Sequence, residues 1–248
     1  MKLLAVLRRE LLGYFFSPLA WVVLTLFLLV QGYAFYLLVE MMSQPTAPHG
    51  AVLQYFFGGT FLYWLFVIFV ISAITMRLCA EERRSGTLEA LLTAPVSEAQ
   101  VILGKYLAAV IFYVFLWAPT LVYVALVVSV SGEGGPGWGP IAAGYLGTLL
   151  VGGSCLAVGL LASTLTRNQI VAAVLTFTLL TLLLLVGPLD LYVSRPWLKA
   201  LIGHLNLFEQ LDELGRGIVD SRRLVLHLSL IVFCLTAAVK ALELKKWR

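Results

Sequence analysis

LAWVVLTLFLLVQGYAFYLLV, residues 19–39, contains no Asp, Glu, Lys, Arg or His. As a helix rising about 1.5 Å per residue it reaches about 30 Å, the thickness of a bilayer's hydrocarbon core. Comparable runs recur along all 248 residues. The chain is 61% hydrophobic and only 12% charged, with a mean hydropathy of +0.97, whereas a soluble domain carries about 25% charged residues. Too few polar side chains exist to cover a water-facing surface, so lipid is the solvent. The run at 19–39 is too long for a signal peptide's apolar region and lacks a small-x-small cleavage site, so it reads as a retained helix.

Working outward from that run, the sequence places membrane helices at about 19–39, 56–77, 100–129, 140–164, 169–188 and 223–241, as one domain over 1–248. An even number returns both termini to one side. With the N-terminus inside, the inner loops and ends hold Lys2, Arg8, Arg9, Arg77, Arg83, Arg84, Lys105, Arg167, Lys240, Lys245, Lys246 and Arg248. The outer side holds Arg195, Lys199, Arg216, Arg222 and Arg223, and its first two loops hold no basic residue. Lys and Arg accumulate on the cytoplasmic side, so both termini are expected there, in a multi-pass inner-membrane protein. The net charge of +4 arises at the ends of apolar runs rather than on one polar face, which argues against nucleic-acid binding.

Residues 2–16 are amphipathic, with Leu3, Leu7, Leu11, Tyr14 and Phe15 on one face and Lys2, Arg8, Arg9 and Glu10 on the other. They predict a helix lying in the membrane interface, bent into the first span at Pro18. Between spans five and six, Asn206 and Glu209 have N-cap and N3 spacing. Leu207, Leu211 and Leu214 share a face, and Gly215 and Gly217 supply stops, which predicts a short interfacial or re-entrant helix pair. Along span four, Gly144, Thr148, Gly152, Cys155, Gly159 and Ser163 form a small-residue stripe that admits a neighbouring helix at close range. Packing within the subunit is the plainest use of Gly144, Thr148, Gly152 and Gly159.

The chemistry of several function classes is missing. Span centres contain no ionisable group for a coupling ion, and Gln31, Glu40, Asp190 and His227 read as packing hydrogen bonds or solvated helix ends. There is no HExxH, and Gly152-Gly153-Ser154-Cys155-Leu156 lacks the second glycine of a nucleophile elbow. Gly104-Lys105 is followed by Tyr106, and the upstream glycine position holds Ala99, so no phosphate-cradling P-loop exists. Cys79, Cys155 and Cys234 give no disulfide framework. No catalytic residue, bound cofactor or metal site is expected, and the chain does not read as an enzyme.

The informative polar stretch is 77–97. Thr87 can cap a helix of about two turns, Glu89 lies in its first turn, Pro95 ends it, and Ser97 with Gln100 has capping-box spacing for the next span. The run Glu81-Glu82-Arg83-Arg84-Ser85-Gly86-Thr87-Leu88-Glu89-Ala90-Leu91-Leu92-Thr93-Ala94-Pro95-Val96-Ser97, then Leu103-Gly104-Lys105-Tyr106, resembles the signature of ABC-2 type transporter permeases. Phe16-Ser17-Pro18, the stretch from Gly159 to Gln169 and the terminal Leu242-Glu243-Leu244-Lys245-Lys246-Trp247-Arg248 match as well, most closely the gliding-motility, GldF-like branch.

That resemblance implies an all-α, six-span permease with an N-terminal elbow helix and a coupling helix between spans two and three. The coupling helix would dock on a separate ABC ATPase present in two copies, which would bind the ATP and Mg. Glu82, Arg83, Arg84, Gly86, Thr87, Leu88, Glu89, Leu91, Leu92 and Pro95 would form that interface. A second permease copy or a related membrane subunit would complete the transporter, with a GldG-like protein as an auxiliary partner. The rival reading is a membrane scaffold that recruits an ATPase or envelope machinery without transport.

Overall fold

The computed structural model describes residues 2–43, 55–86, 97–131 and 137–246. Among these the chain is all helix, and six segments are long and apolar enough to cross a bilayer. Helix α1 (Lys2–Phe15) is followed at once by α2 (Pro18–Met42). Ser17 takes an extended backbone and Pro18 opens α2, because proline lacks the N–H that a first helical position would leave unpaired anyway. The indole of Trp21 donates to the carbonyl of Phe15 at 2.9 Å and so ties the two helices across the bend.

Helix α3 spans Phe61–Thr75, beginning later than the apolar run from residue 56 suggests. Gly58 has a φ of +112°, a backbone state that suits glycine, and Thr60 caps the helix by accepting from the Tyr63 N–H at 3.4 Å. After a turn, α4 (Ala80–Ser85) extends the second segment and stops at Gly86, which is left-handed at φ +72°.

The third segment is not one rod. Helix α5 (Glu98–Trp117) gives way to a 3₁₀ turn at Ala118–Thr120 and resumes as α6 (Leu121–Ser131), since Pro119 cannot donate to the helical ladder. Helix α7 (Trp138–Leu165) and helix α8 (Gln169–Val186, continued by a 3₁₀ turn at Gly187–Leu191) supply the fourth and fifth. Helices α9 (Pro196–Leu205) and α10 (Leu207–Gly215) form a short pair between the fifth and sixth segments, and α11 (Ser221–Lys246) is the sixth segment. Asn206 caps α10 by accepting from the N–H groups of Phe208 and Glu209, and Leu207, Leu211 and Leu214 are buried.

The hub is α7, which packs against α3, α5, α8, α10 and α11. Its small residues face large ones in the same chain. A Cβ added at Gly144 would lie 2.4 Å from Phe57, at Gly152 2.3 Å from the Tyr113 ring, and at Gly159 2.4 Å from Thr75 Oγ1. Thr148 is fully buried between them. Such close approach maximises dispersion contact, the main glue where lipid surrounds the helices.

Near the middle of α7, Ser154 Oγ lies 2.9 Å from His227 Nδ1, and His227 Nε2 lies 2.8 Å from Gln210 Oε1. Gln210 in turn donates to the His204 carbonyl at 2.7 Å. His227 therefore does not sit in water at a helix end, as its place in the sequence suggests, because α10 folds over it and leaves it 2% exposed. Ser154 and Gln210 are as deeply buried, so this chain of hydrogen bonds satisfies polar groups inside the bundle and holds α7, α10 and α11 together.

Candidate coupling site

At the α1 end of the bundle, charged residues from three separate segments converge. Lys105, in the second turn of α5, has a side chain only 1% exposed. Its Nζ is 2.9 Å from Glu10 Oε1 on α1 and 2.9 Å from Glu82 Oε2 on α4. Arg9 Nη2 closes the group at 2.8 Å from Glu82 Oε1. A buried ammonium without partners would carry a desolvation cost of several kcal/mol, so the pair of carboxylates is what makes this lysine tolerable here.

Packing brings the helices near enough for these contacts. Gly104 lets Val6 of α1 press directly on α5, where a Cβ would come within 2.8 Å of Val6 Cγ1. Tyr14 stacks on Phe112 with ring centroids 4.9 Å apart and donates to the Ile74 carbonyl at 2.9 Å. Phe15 sits edge-on to Phe112 and Phe115. Helix α1 is thus docked onto the bundle, and Glu10, which its amphipathic pattern puts on the polar face, turns inward to Lys105.

A second set of contacts fixes α4. The N–H groups of Cys79 and Ala80 donate to Ser163 Oγ on α7 at 3.1 and 3.2 Å, which satisfies backbone donors exposed at a helix start. Arg77 pairs with Glu81 at 2.8 Å and donates to Ser17 Oγ at 2.8 Å. A cleft of about 340 Å³ opens between α1 and the end of the second segment, lined by Arg9, Glu10, Tyr14, Arg77, Glu81, Glu82 and Lys105.

Of the sequence-derived interface residues, Glu82 lies in this ionic group. Arg83 has one guanidinium nitrogen, Nη2, buried without a hydrogen-bond partner, and Arg84 is exposed. Gly86 ends α4 with open space around its Cα. Thr87, Leu88, Glu89, Leu91, Leu92 and Pro95 lie outside the described residues. Beyond them, the Ser97 hydroxyl accepts from the Gln100 N–H at 3.3 Å while the Ser97 N–H donates to Gln100 Oε1 at 3.4 Å. Both described flanks of 87–96 are therefore anchored, one through Ser163 and Glu82, the other through a full capping box.

Lys105 and Glu10 escaped the reading of the sequence, although one signal was available. Lys105 falls in phase with Val101, Ile102, Ala108, Ala109 and Phe112, all buried, and a lysine on the buried stripe of a helix calls for an acidic partner. No group of His, Cys, Asp and Glu able to hold a metal ion occurs among the described residues.

A family model described as ABC-2 family transporter protein matches residues 16–183, more than half of the chain, from the start of α2 into α8. No curated protein matches the chain. With six membrane-capable helices around the α7 hub, the chain belongs to the ABC-2 family of transporter proteins, as a multi-pass membrane subunit.

Proposed function

We propose that this chain is the permease subunit of an ATP-driven exporter in the cytoplasmic (inner) membrane, with both termini in the cytoplasm. Two copies of a separate ABC ATPase bind ATP and Mg and grip the segment 87–96, and a second permease copy or a related membrane subunit completes the path. The supporting observation is the bracing on either side of that segment. Glu82, Lys105, Glu10 and Ser163 join its flanks to α1, α5 and α7, so a push delivered at 87–96 reaches several rods at once instead of dissipating in a loose loop. The exposed Arg84 at the end of α4 supplies a donor for an acidic group on the motor. The likeness of residues 81–97 and 103–106, taken together with 16–18, 159–169 and 242–248, favours the GldF-like branch and a GldG-like auxiliary protein.

The test is to coexpress the chain with its cognate ATPase and compare Glu89→Lys with the unaltered protein. Charge reversal in the gripped segment should reduce co-purification of the ATPase and lower stimulated ATP turnover by about tenfold, the equivalent of about 1.4 kcal/mol of interface energy. Unchanged co-purification and turnover would remove the interface from 87–96.

A further inference from the structure

A different cavity lies away from this junction. Between α2 and the start of α3 is an apolar cleft of about 310 Å³, lined on one side by Gln31, Ala34, Leu38 and Met41 and on the other by Phe56 and Leu62. Its size falls within the range of small-molecule sites, about 300 to 1,000 Å³. Gln31, Ala34, Leu38 and Met41 recur at helical spacing, so one stripe of α2 forms the wall. Met41 and Leu62 are also exposed on the bundle surface, where a membrane-spanning helix meets lipid, so the cleft opens sideways into the bilayer.

Gln31 is the exception in this wall. It is 4% exposed, and its Nε2 has no hydrogen-bond partner. Counted along α2 from Pro18 at 1.5 Å per residue, it sits about 20 Å into the helix, where water is scarce and an unmet amide costs about 1–3 kcal/mol. Nothing in the packing requires a glutamine there, because a leucine would fill the same space. Among the described residues no charged side chain lines the cleft, so none of them offers a counter-charge to an ionic group.

We infer that this cleft is a binding site for a neutral membrane amphiphile, with an alkyl chain on the apolar wall and an ester or hydroxyl oxygen accepting from the Gln31 carboxamide. The inference is independent of the motor reading, since it concerns an equilibrium between the chain and its bilayer that needs no ATPase.

The experiment uses the full chain in lipid nanodiscs and a diacylglycerol carrying a photoreactive diazirine in one acyl chain, competed by unlabelled diacylglycerol. A diazirine-bearing plain hydrocarbon serves as the control. The ester probe should label residues 31–41 and 55–63 saturably. Gln31→Leu should raise its half-saturating concentration by about tenfold, the loss of one buried hydrogen bond, while labelling by the hydrocarbon stays the same. Ala34→Phe, which fills the cleft from a half-buried position, should abolish saturable labelling and leave Gln31 intact. Equal half-saturation for Gln31→Leu and the unaltered chain would overturn the inference. So would non-saturable labelling spread over the outer faces of α2, which marks ordinary boundary lipid, or predominant cross-links through these residues to a second copy of the chain.

Discussion

At the α1 end, Lys105 holds Glu10 and Glu82 across three segments, and Arg9 and Arg77 add further ionic contacts at 2.8 Å. At the α9–α10 end a partly exposed ion pair, Arg223 with Glu213 at 2.7 Å, joins α11 to α10, while the most deeply buried contacts are neutral. Leu211 and Leu214 press on Gly147, and the Ser154–His227–Gln210 chain crosses from α7 through α11 to α10. A buried charge left without its partner is costly, whereas a truncated apolar contact loses only its packing. One end is thus held chiefly by buried charge pairing and the other chiefly by packing and neutral hydrogen bonds, so the two should answer differently to the loss of one partner.

The comparison can be broken most forcefully at Lys105. Lys105→Met leaves Glu10 and Glu82 facing each other in a buried site, so stability should fall by about 3–5 kcal/mol, read as a lower thermal midpoint in detergent. Adding Glu10→Gln and Glu82→Gln to the same chain should recover much of the loss, which distinguishes uncompensated charge from lost packing. The neutral hub answers differently. Gly152→Val forces the Tyr113 ring from its place and should cost about 1–3 kcal/mol, with no dependence on salt, because no charge is involved. At the α9–α10 joint, Asn206→Ala removes the cap of α10 and should cost about 1 kcal/mol, seen as faster amide exchange confined to Phe208 and Glu209 and their neighbours.

Much of this architecture is legible in the sequence because its signals are local. Apolar runs fix the six segments, Ser97 with Gln100 and Asn206 with Glu209 mark helix starts, and Pro18 marks the bend between α1 and α2. Local signals also mislead where a small feature interrupts a long run. Gly58 and Thr60 delay α3, and Pro119 divides α5 from α6, although hydropathy passes smoothly through both places. The candidate site is harder to read because its contacts are distant in sequence. Glu10 meets Lys105 across the whole of α2 and α3, and Ser154 meets His227 because α11 packs along α7. Periodicity shows that Lys105 faces inward, but which acid answers it depends on how α1 folds back. Gln31 is likewise visible as a polar residue in an apolar span, and only the packing reveals that no neighbour satisfies it.

The proposed function requires 87–96 to face the cytoplasm, where a nucleotide-driven partner can grip it. Glu89→Cys, probed with a membrane-impermeant maleimide in inverted and right-side-out vesicles, tests this most directly, since Cys79, Cys155 and Cys234 are buried and contribute little background. The account predicts labelling in inverted vesicles and protection in right-side-out ones. Labelling from the outer face alone would contradict it.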